Sequence, residues 1–213
     1  RKTIDLALLF RKDFDVYFPK KLQRKKADKR KWNAPVVLLK PATSLSPRWD
    51  NMDPLMLADH LKRLNSGENN GWYTTVVQSI ADLTAEQALW RPSPGIPCIW
   101  ELAAHIHYWT MRMTEVFEAI RRGEEPSNRS ETDWPVPDSP DNASWSSLQT
   151  ELARAMAKLS DVVKSLRPEQ LLSPTQGANS PSVLYEIHGL LAHTSYHTGQ
   201  ILLLRRLQGT WSR

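Results

Sequence analysis

Residues 52–213 predict an all-α fold, a four-helix bundle with one long crossover, and three features of the sequence carry that expectation. Apolar residues recur three or four apart over long stretches. Capping residues, prolines and glycines punctuate those stretches. No segment alternates like a strand for long enough to count. Asp53-Pro54 offers an N-cap carboxylate and a proline at the first turn, which starts the first helix. That helix runs through Leu55, Leu57, Leu61 and Leu64; Ser66-Gly67 weakens it, and Trp72, Val76, Val77 and Ile80 carry the pattern on towards Leu83. Thr84-Ala85-Glu86-Gln87 reads as a capped short turn, and Arg91-Pro92-Ser93-Pro94-Gly95 breaks the chain. The second helix follows Pro97 and continues to about Arg122, where Gly123 ends it. Residues 124–141 hold Pro126, Pro135, Pro137 and Pro140 among polar residues, the pattern of a surface crossover. The third helix starts near Asn142 or Ser144, carries Trp145, Leu148, Leu152, Met156, Leu159, Val163 and Leu166, and stops at Arg167-Pro168. A loop with Pro174 and Gly177 leads to Ser180-Pro181, read as a cap followed by proline, and the fourth helix continues to about Gln208 before Gly209. Four such helices with one long connection are a bundle.

Charge divides the chain. Residues 1–51 carry 14 Lys+Arg against 5 Asp, a balance of +9, whereas residues 52–213 carry 14 Lys+Arg against 18 Asp+Glu, a balance of −4. The basic character therefore belongs to the leader, densest from Lys20 to Lys31. Such a run reads as a solvated arm, and an acidic domain argues against nucleic acid as a partner. The sequence opens on Arg1, and Met52 stands where a domain of bacterial style could begin. The leader, residues 1–51, is accordingly expected to be a flexible or non-native extension. The apolar runs Leu6–Phe10, Val36–Leu39 and Ile201–Leu204 are far too short to span a membrane. A single cysteine, Cys98, forms no intramolecular disulfide, which agrees with a reducing, cytoplasmic setting.

The chemistry lies in the histidines: His60, His105, His107, His188, His193 and His197. His193-Thr-Ser-Tyr-His197 sets two imidazoles one helical turn apart on one face, the spacing needed to grip one ion. At about 100° per residue they share that face with Leu190, Ile201 and Leu204, so they point into the bundle. His188 falls on the opposite side, near Ser195 and Arg206. On the second helix, Cys98, Ile99, Leu102, Ile106, Trp109, Met113, Val116, Phe117 and Ile120 form one apolar arc. His105 flanks that arc while His107 lies away from its centre, so His105 is the inward histidine. His60, beside Asp59 and Lys62, has nothing to recommend it. Three inward nitrogens leave a fourth position for water or substrate, the pattern of a catalytic metal site. Zinc, nickel and ferrous iron all accept imidazoles, so the expected cofactor is one divalent ion of undecided identity. Glu101, one turn before His105, reads either as an acceptor for its second N–H or as an exposed first-turn carboxylate. Gln200 lies near the His193–His197 face, where it touches a ligand or caps a carbonyl. Cys98 is expected to be a small buried residue. The tryptophans are expected chiefly in the core, with Trp109 walling the pocket.

Two stretches resemble a known family. Ile99-Trp-Glu-Leu-Ala-Ala-His105-Ile is similar to the Trp-x-x-x-x-His pattern, and His193-Thr-Ser-Tyr-His197-Thr-Gly-Gln-Ile201 to the His-x-x-x-His-x-Gly-Gln-Ile pattern, of the DinB-like (DinB/YfiT) superfamily of metalloenzymes. Leu83-Thr-Ala-Glu-Gln-Ala-Leu-Trp90-Arg-Pro also looks like that family's connection between helices one and two. The resemblance spans about residues 54–208 and leaves the basic leader without a counterpart. It implies an up-down-down-up bundle and a metal triad on His105, His193 and His197. Some members look like transferases using a low-molecular-weight thiol, others resemble thiol-dependent isomerases, and many have no known activity. The expected function is therefore a metal-dependent transfer of such a thiol to a small electrophile. The alternatives are a metal-dependent hydrolase and a non-catalytic metal- or ligand-binding bundle. The expected partners are a small-molecule substrate and a second copy of the chain in a homodimer.

Overall fold

The computed structural model describes residues 53–66, 72–127, 132–135 and 140–211; the leader and its boundary at residue 52 lie outside the described residues. Among the described residues the chain is all-helical, with no strand and one isolated bridge between Pro174 and Ser182. The helices are α1 (Pro54–Ser66), α2 (Val76–Ile80), α3 (Ala85–Leu89), α4 (Ile99–Arg122), α5 (Asn142–Lys164) and α6 (Val183–Gln208), with a 3-10 turn at Pro168–Leu172 before α6. None is long and apolar enough to cross a membrane.

Local chemistry sets the boundaries. A helix start leaves backbone N–H groups without partners, and side chains supply them. Asp53 Oδ1 accepts from the Leu55 amide at 2.8 Å, as its Asp-Pro pair suggests. Thr84 and Gln87 form a reciprocal capping box on α3. At α4 the carboxylate of Glu101 accepts from the Cys98 amide at 3.0 Å and is itself gripped by Arg91. Asp141 caps α5 through the Ser144 amide at 2.7 Å. Gly123 and Gly209 close α4 and α6 with φ of 76° and 74°, a left-handed conformation that glycine adopts without a Cβ clash.

Two expected boundaries move. The first helix does not continue its pattern to Leu83: α1 ends at Ser66 and a separate helix, α2, begins at Val76. Thr75 is the reason, because its hydroxyl accepts from the Gln78 amide at 3.1 Å while the Gln78 side chain accepts from the Thr75 amide at 3.0 Å. This second Thr-x-x-Gln box opens a new helix, and Asp82, at φ 60°, lies just past its end. The cap of α6 is Ser182 rather than Ser180, its hydroxyl accepting from the Tyr185 amide at 3.3 Å. The Ser180 hydroxyl is used by the loop, accepting from the Gln176 amide at 2.6 Å, and the Pro181 carbonyl accepts from Thr175.

Packing forms two apolar clusters. One joins α2, α3, the first half of α4 and the first half of α5 to Ile201 and Leu204 at the far end of α6. The other joins α1, the second halves of α4 and α5, Leu171 of the 3-10 turn, and the start of α6 from Val183 to Leu191. Trp145 anchors the first cluster: it is 2 % exposed, lies 5.1 Å from the Trp100 ring and donates its indole N–H to the Leu83 carbonyl. Full burial of one large apolar side chain contributes about 1.5–3 kcal/mol, so these clusters, not helix propensity, hold the helices together. The middles of α4 and α6, between the clusters, carry polar residues that stay buried because Thr110, Thr114 and Thr198 return their hydroxyls to carbonyls four residues back.

Candidate metal centre

Between the two clusters, α4 and α6 bring three imidazoles together. His105 is 1 % exposed and His197 5 %, while His193 is half-buried. The Nε2 atom of His193 lies 3.0 Å from that of His105 and 3.0 Å from that of His197. One ligand atom from each histidine falls within 4.8 Å of the others, so the three could hold a metal ion.

The opposite edges of two rings fix their tautomers. His105 Nδ1 stands 2.6 Å from the backbone carbonyl of Asp133. A carbonyl only accepts, so this Nδ1 carries the proton and Nε2 turns a lone pair to the centre. His197 Nδ1 stands 2.6 Å from Oε1 of Gln200, whose amide nitrogen donates to the Tyr196 hydroxyl at 3.2 Å. With Oε1 facing the ring, His197 likewise protonates Nδ1 and offers Nε2. His193 then faces two acceptors with one Nε2. A proton there could serve only one of them, and a cation at the centre would serve all three. Its Nδ1 is buried with no hydrogen-bond partner among the described residues.

Burial keeps His193 and His197 neutral. The His193 imidazolium is disfavoured first by desolvation and then by His197 and His105, which lowers its pKa to about 3. Desolvation lowers that of His197 to about 4, against the opposing hydrogen bond to Gln200. Imidazoles with lone pairs converging on one point fit a divalent cation.

Aromatic rings surround the cluster. Trp134 stacks on His105 with centroids 4.0 Å apart and planes at 14°. Trp109 meets the same ring edge-on at 6.4 Å, and the Tyr196 ring lies 4.9 Å from that of His197. Trp109 thus stands beside the site as expected, but Trp134 is the nearer wall. It belongs with Asp133 to the connection expected to be mere surface; Asp133, Trp134 and Pro135 are each half-buried. Nothing in the residues 124–141 signalled this, since a main-chain carbonyl and one tryptophan in a proline-rich stretch have no spacing to read.

The remaining histidines and neighbours fall elsewhere. His188 and His60 are exposed. His107, two residues past His105, is half-buried outside the cluster, and burial lowers its pKa against the pull of Glu151. Glu101 is not the acceptor for His105; its carboxylate is committed to Arg91 and the Cys98 amide, which also holds it below the usual carboxylate range. Cys98 is fully buried and burial pushes its thiol up, so it is the inert small residue expected. Trp72 and Trp90 are exposed rather than in the core.

Residues 73–201 match the family model of the DinB superfamily. No curated protein and no solved structure matches the chain.

Proposed function

Because the chain belongs to the DinB superfamily, we propose that residues 52–213 form a four-helix bundle of up-down-down-up topology that holds one divalent ion on His105, His193 and His197. We propose that it uses the ion to transfer a low-molecular-weight thiol to a small electrophile. The observation that carries the reading is the convergence of three Nε2 atoms, two of them on rings whose Nδ1–H is already engaged. The topology is supported by the first halves of α4 and α5 sharing one apolar cluster with the last turns of α6. Residues 1–51 are taken as an extension, so a chain starting at Met52 is expected to keep its melting temperature and metal content.

A bound divalent cation would lower the pKa of a thiol or water offered to its open position. The protein's own part is positional. The Asp133 carbonyl and Gln200 hold two imidazoles in the ligating tautomer. Trp134, Trp109 and Tyr196 supply apolar walls against which a small organic substrate can lie. Thiol transfer is favoured over hydrolysis because a free thiol is far more acidic than free water and is the readier of the two to ionise on a cation; the Asp133 carboxylate lies 3.9 Å from His105 Nδ1. The neutral donor set suits zinc, nickel and ferrous iron alike, and the reducing cytoplasm is the compartment proposed.

The test is metal analysis of purified protein coupled to a conjugation screen with several thiols and electrophiles. About one divalent ion per chain is expected. His193→Ala/His197→Ala should empty the site and His188→Ala should not. Conjugation should need the metal, vanish in His105→Ala and persist in His107→Ala. Full occupancy in the double variant would remove the site. Stoichiometric metal without turnover, with the bundle melting on metal removal, would leave a structural staple in place of an enzyme.

A further inference from the structure

Three buried side-chain nitrogens lack a hydrogen-bond partner among the described residues: His193 Nδ1, Arg205 Nε and Arg112 Nη1. Both arginine nitrogens are donors, so what each lacks is an acceptor. Arg205 is a staple at the end of α6. Its other nitrogens donate to the carbonyls of Ser79, Ala81 and Thr210, and its guanidinium lies over the Trp211 ring. Arg112 has less to hold it. Its side chain is 12 % exposed, and its Nη2 donates to the Ser127 carbonyl. The Glu115 carboxylate comes only to 3.8 Å from Nη1, beyond hydrogen-bond distance. A guanidinium keeps its charge at every ordinary pH, and burying one without full pairing is costly.

This deficit of an acceptor lies next to the metal centre. Arg112 follows His105 by seven residues, which returns it to the same face of α4 within about 20°, two turns and about 10 Å further along. The crossover covers both: its Asp133 carbonyl accepts from His105 and its Ser127 carbonyl from Arg112. Trp109 stands between them in the chain and meets His105 edge-on. On α6 the same direction leads from His193 towards Gly189, because the second half of α4 shares its apolar cluster with the start of α6. Gly189 is half-buried one turn before His193, and a Cβ built on it meets nothing within 4 Å. Open space therefore adjoins His193 on the side of Arg112.

We propose that Arg112 receives a carboxylate of the thiol whose sulfur the metal centre takes, so that the substrate is a small mercapto acid held at both ends. The inference rests on the thiol-transfer reading above and adds the residue that selects the thiol. With an ion on the histidines, both ends of this space are cationic. A thiolate that also carries a carboxylate is matched along its length, whereas a neutral thiol is matched at one end only. A hydrogen bond between ionised partners is about twice as strong as one between neutral groups. The arginine side chain takes up part of the distance between the two helical turns, and the remainder suits a short carbon chain.

Cobalt-substituted full-length chain gives a direct test, because its visible spectrum reports a sulfur on the ion without any turnover. The probes are mercaptoacetate, 3-mercaptopropionate and 4-mercaptobutyrate, each titrated against its own neutral amide. For the best-fitting length the acid should bind at least about tenfold more tightly than the amide. Arg112→Gln should abolish that preference while leaving the amide's affinity and the cobalt content unchanged, and Arg112→Lys should restore part of it. Gly189→Leu, which suits a helix, should fill the space and weaken acid and amide alike. An arginine that only ties down the crossover would move none of these ratios. Acid and amide binding equally to the wild-type chain would overturn the proposal, as would a preference that survives Arg112→Gln or thiol binding indifferent to Gly189→Leu. A chain that takes up cobalt but whose spectrum ignores every thiol would overturn the thiol reading itself, and this inference with it.

Discussion

On the α6 side of the histidine cluster, two imidazoles stand one turn apart and one is held by a side chain three residues on; on the α4 side, a single imidazole is held by a carbonyl 28 residues away in the chain. The difference is one of who supplies the acceptor. Gln200 is a side chain on the helix that carries its own histidine, so helix geometry fixes both. The Asp133 carbonyl is main chain, placed by the fold of the crossover and by Trp134 stacked on the His105 ring. One side of the site can be altered by a single substitution and the other cannot.

The largest effect expected from this contrast is therefore asymmetric. Gln200→Ala should weaken metal affinity by about 10–100-fold, the usual cost of losing an acceptor behind a ligating histidine. Asp133→Ala should leave affinity close to wild type, because the group that accepts from His105 is unchanged. Titration calorimetry or chelator competition would measure both. Equal losses would mean that the Asp133 carboxylate, 3.9 Å from His105 Nδ1, contributes as much behind His105 as Gln200 does behind His197.

A smaller effect separates the helix starts. α6 begins on the Ser182 hydroxyl, whereas α4 begins on Glu101 reaching back to Cys98 and clamped by Arg91. Ser182→Ala should cost about 1 kcal/mol, a fall of roughly 2–4 °C in melting temperature for a domain of this size, with metal content unchanged. A fall in metal content at constant melting temperature would show that the start of α6 aims the histidines rather than merely stabilising the helix.

The same contrast decides what could be read from the sequence. His193 and His197 announce themselves, because one turn of helix relates them and Leu190, Ile201 and Leu204 mark their face as inward. His105 was separable from His107 for the same reason, as the apolar arc from Cys98 to Ile120 identifies one face of α4. Local chemistry was also legible in Asp53-Pro54, Thr84 to Gln87, Gly123 and Gly209. Asp133 and Trp134 were not, since their role depends on where a proline-rich connection passes in space. The separate helix α2 was hidden because Val76, Val77 and Ile80 keep the register of α1. Only the reciprocal bonds between Thr75 and Gln78 show that a new helix begins. Glu101 was offered two roles, and Arg91 decides between them from ten residues away.

The smallest effect expected belongs to Glu186, in the first turn of α6 and 8 % exposed. Burial raises its pKa above the ordinary carboxylate value. The folded chain thus holds this proton more tightly than the unfolded chain, whose glutamate titrates near about 4.3. Between that value and the raised one the native state binds more protons, so the slope of unfolding free energy against pH is negative. The stability that the protonated carboxyl contributes is complete below about 4.3 and is lost as pH rises through its folded pKa. Glu186→Gln keeps the shape and removes the titration. The variant's melting temperature, relative to wild type, should therefore climb in its favour from acid towards neutral pH and then level off. Because Glu186 is seven residues before His193, the comparison should give the same curve with and without added metal. A difference that is flat across this range would show that Glu186 is solvated as a first-turn carboxylate. A difference that runs the other way would show a charged partner holding it ionised, and the start of α6 would then be electrostatic in character, as the start of α4 is through Arg91 and Glu101.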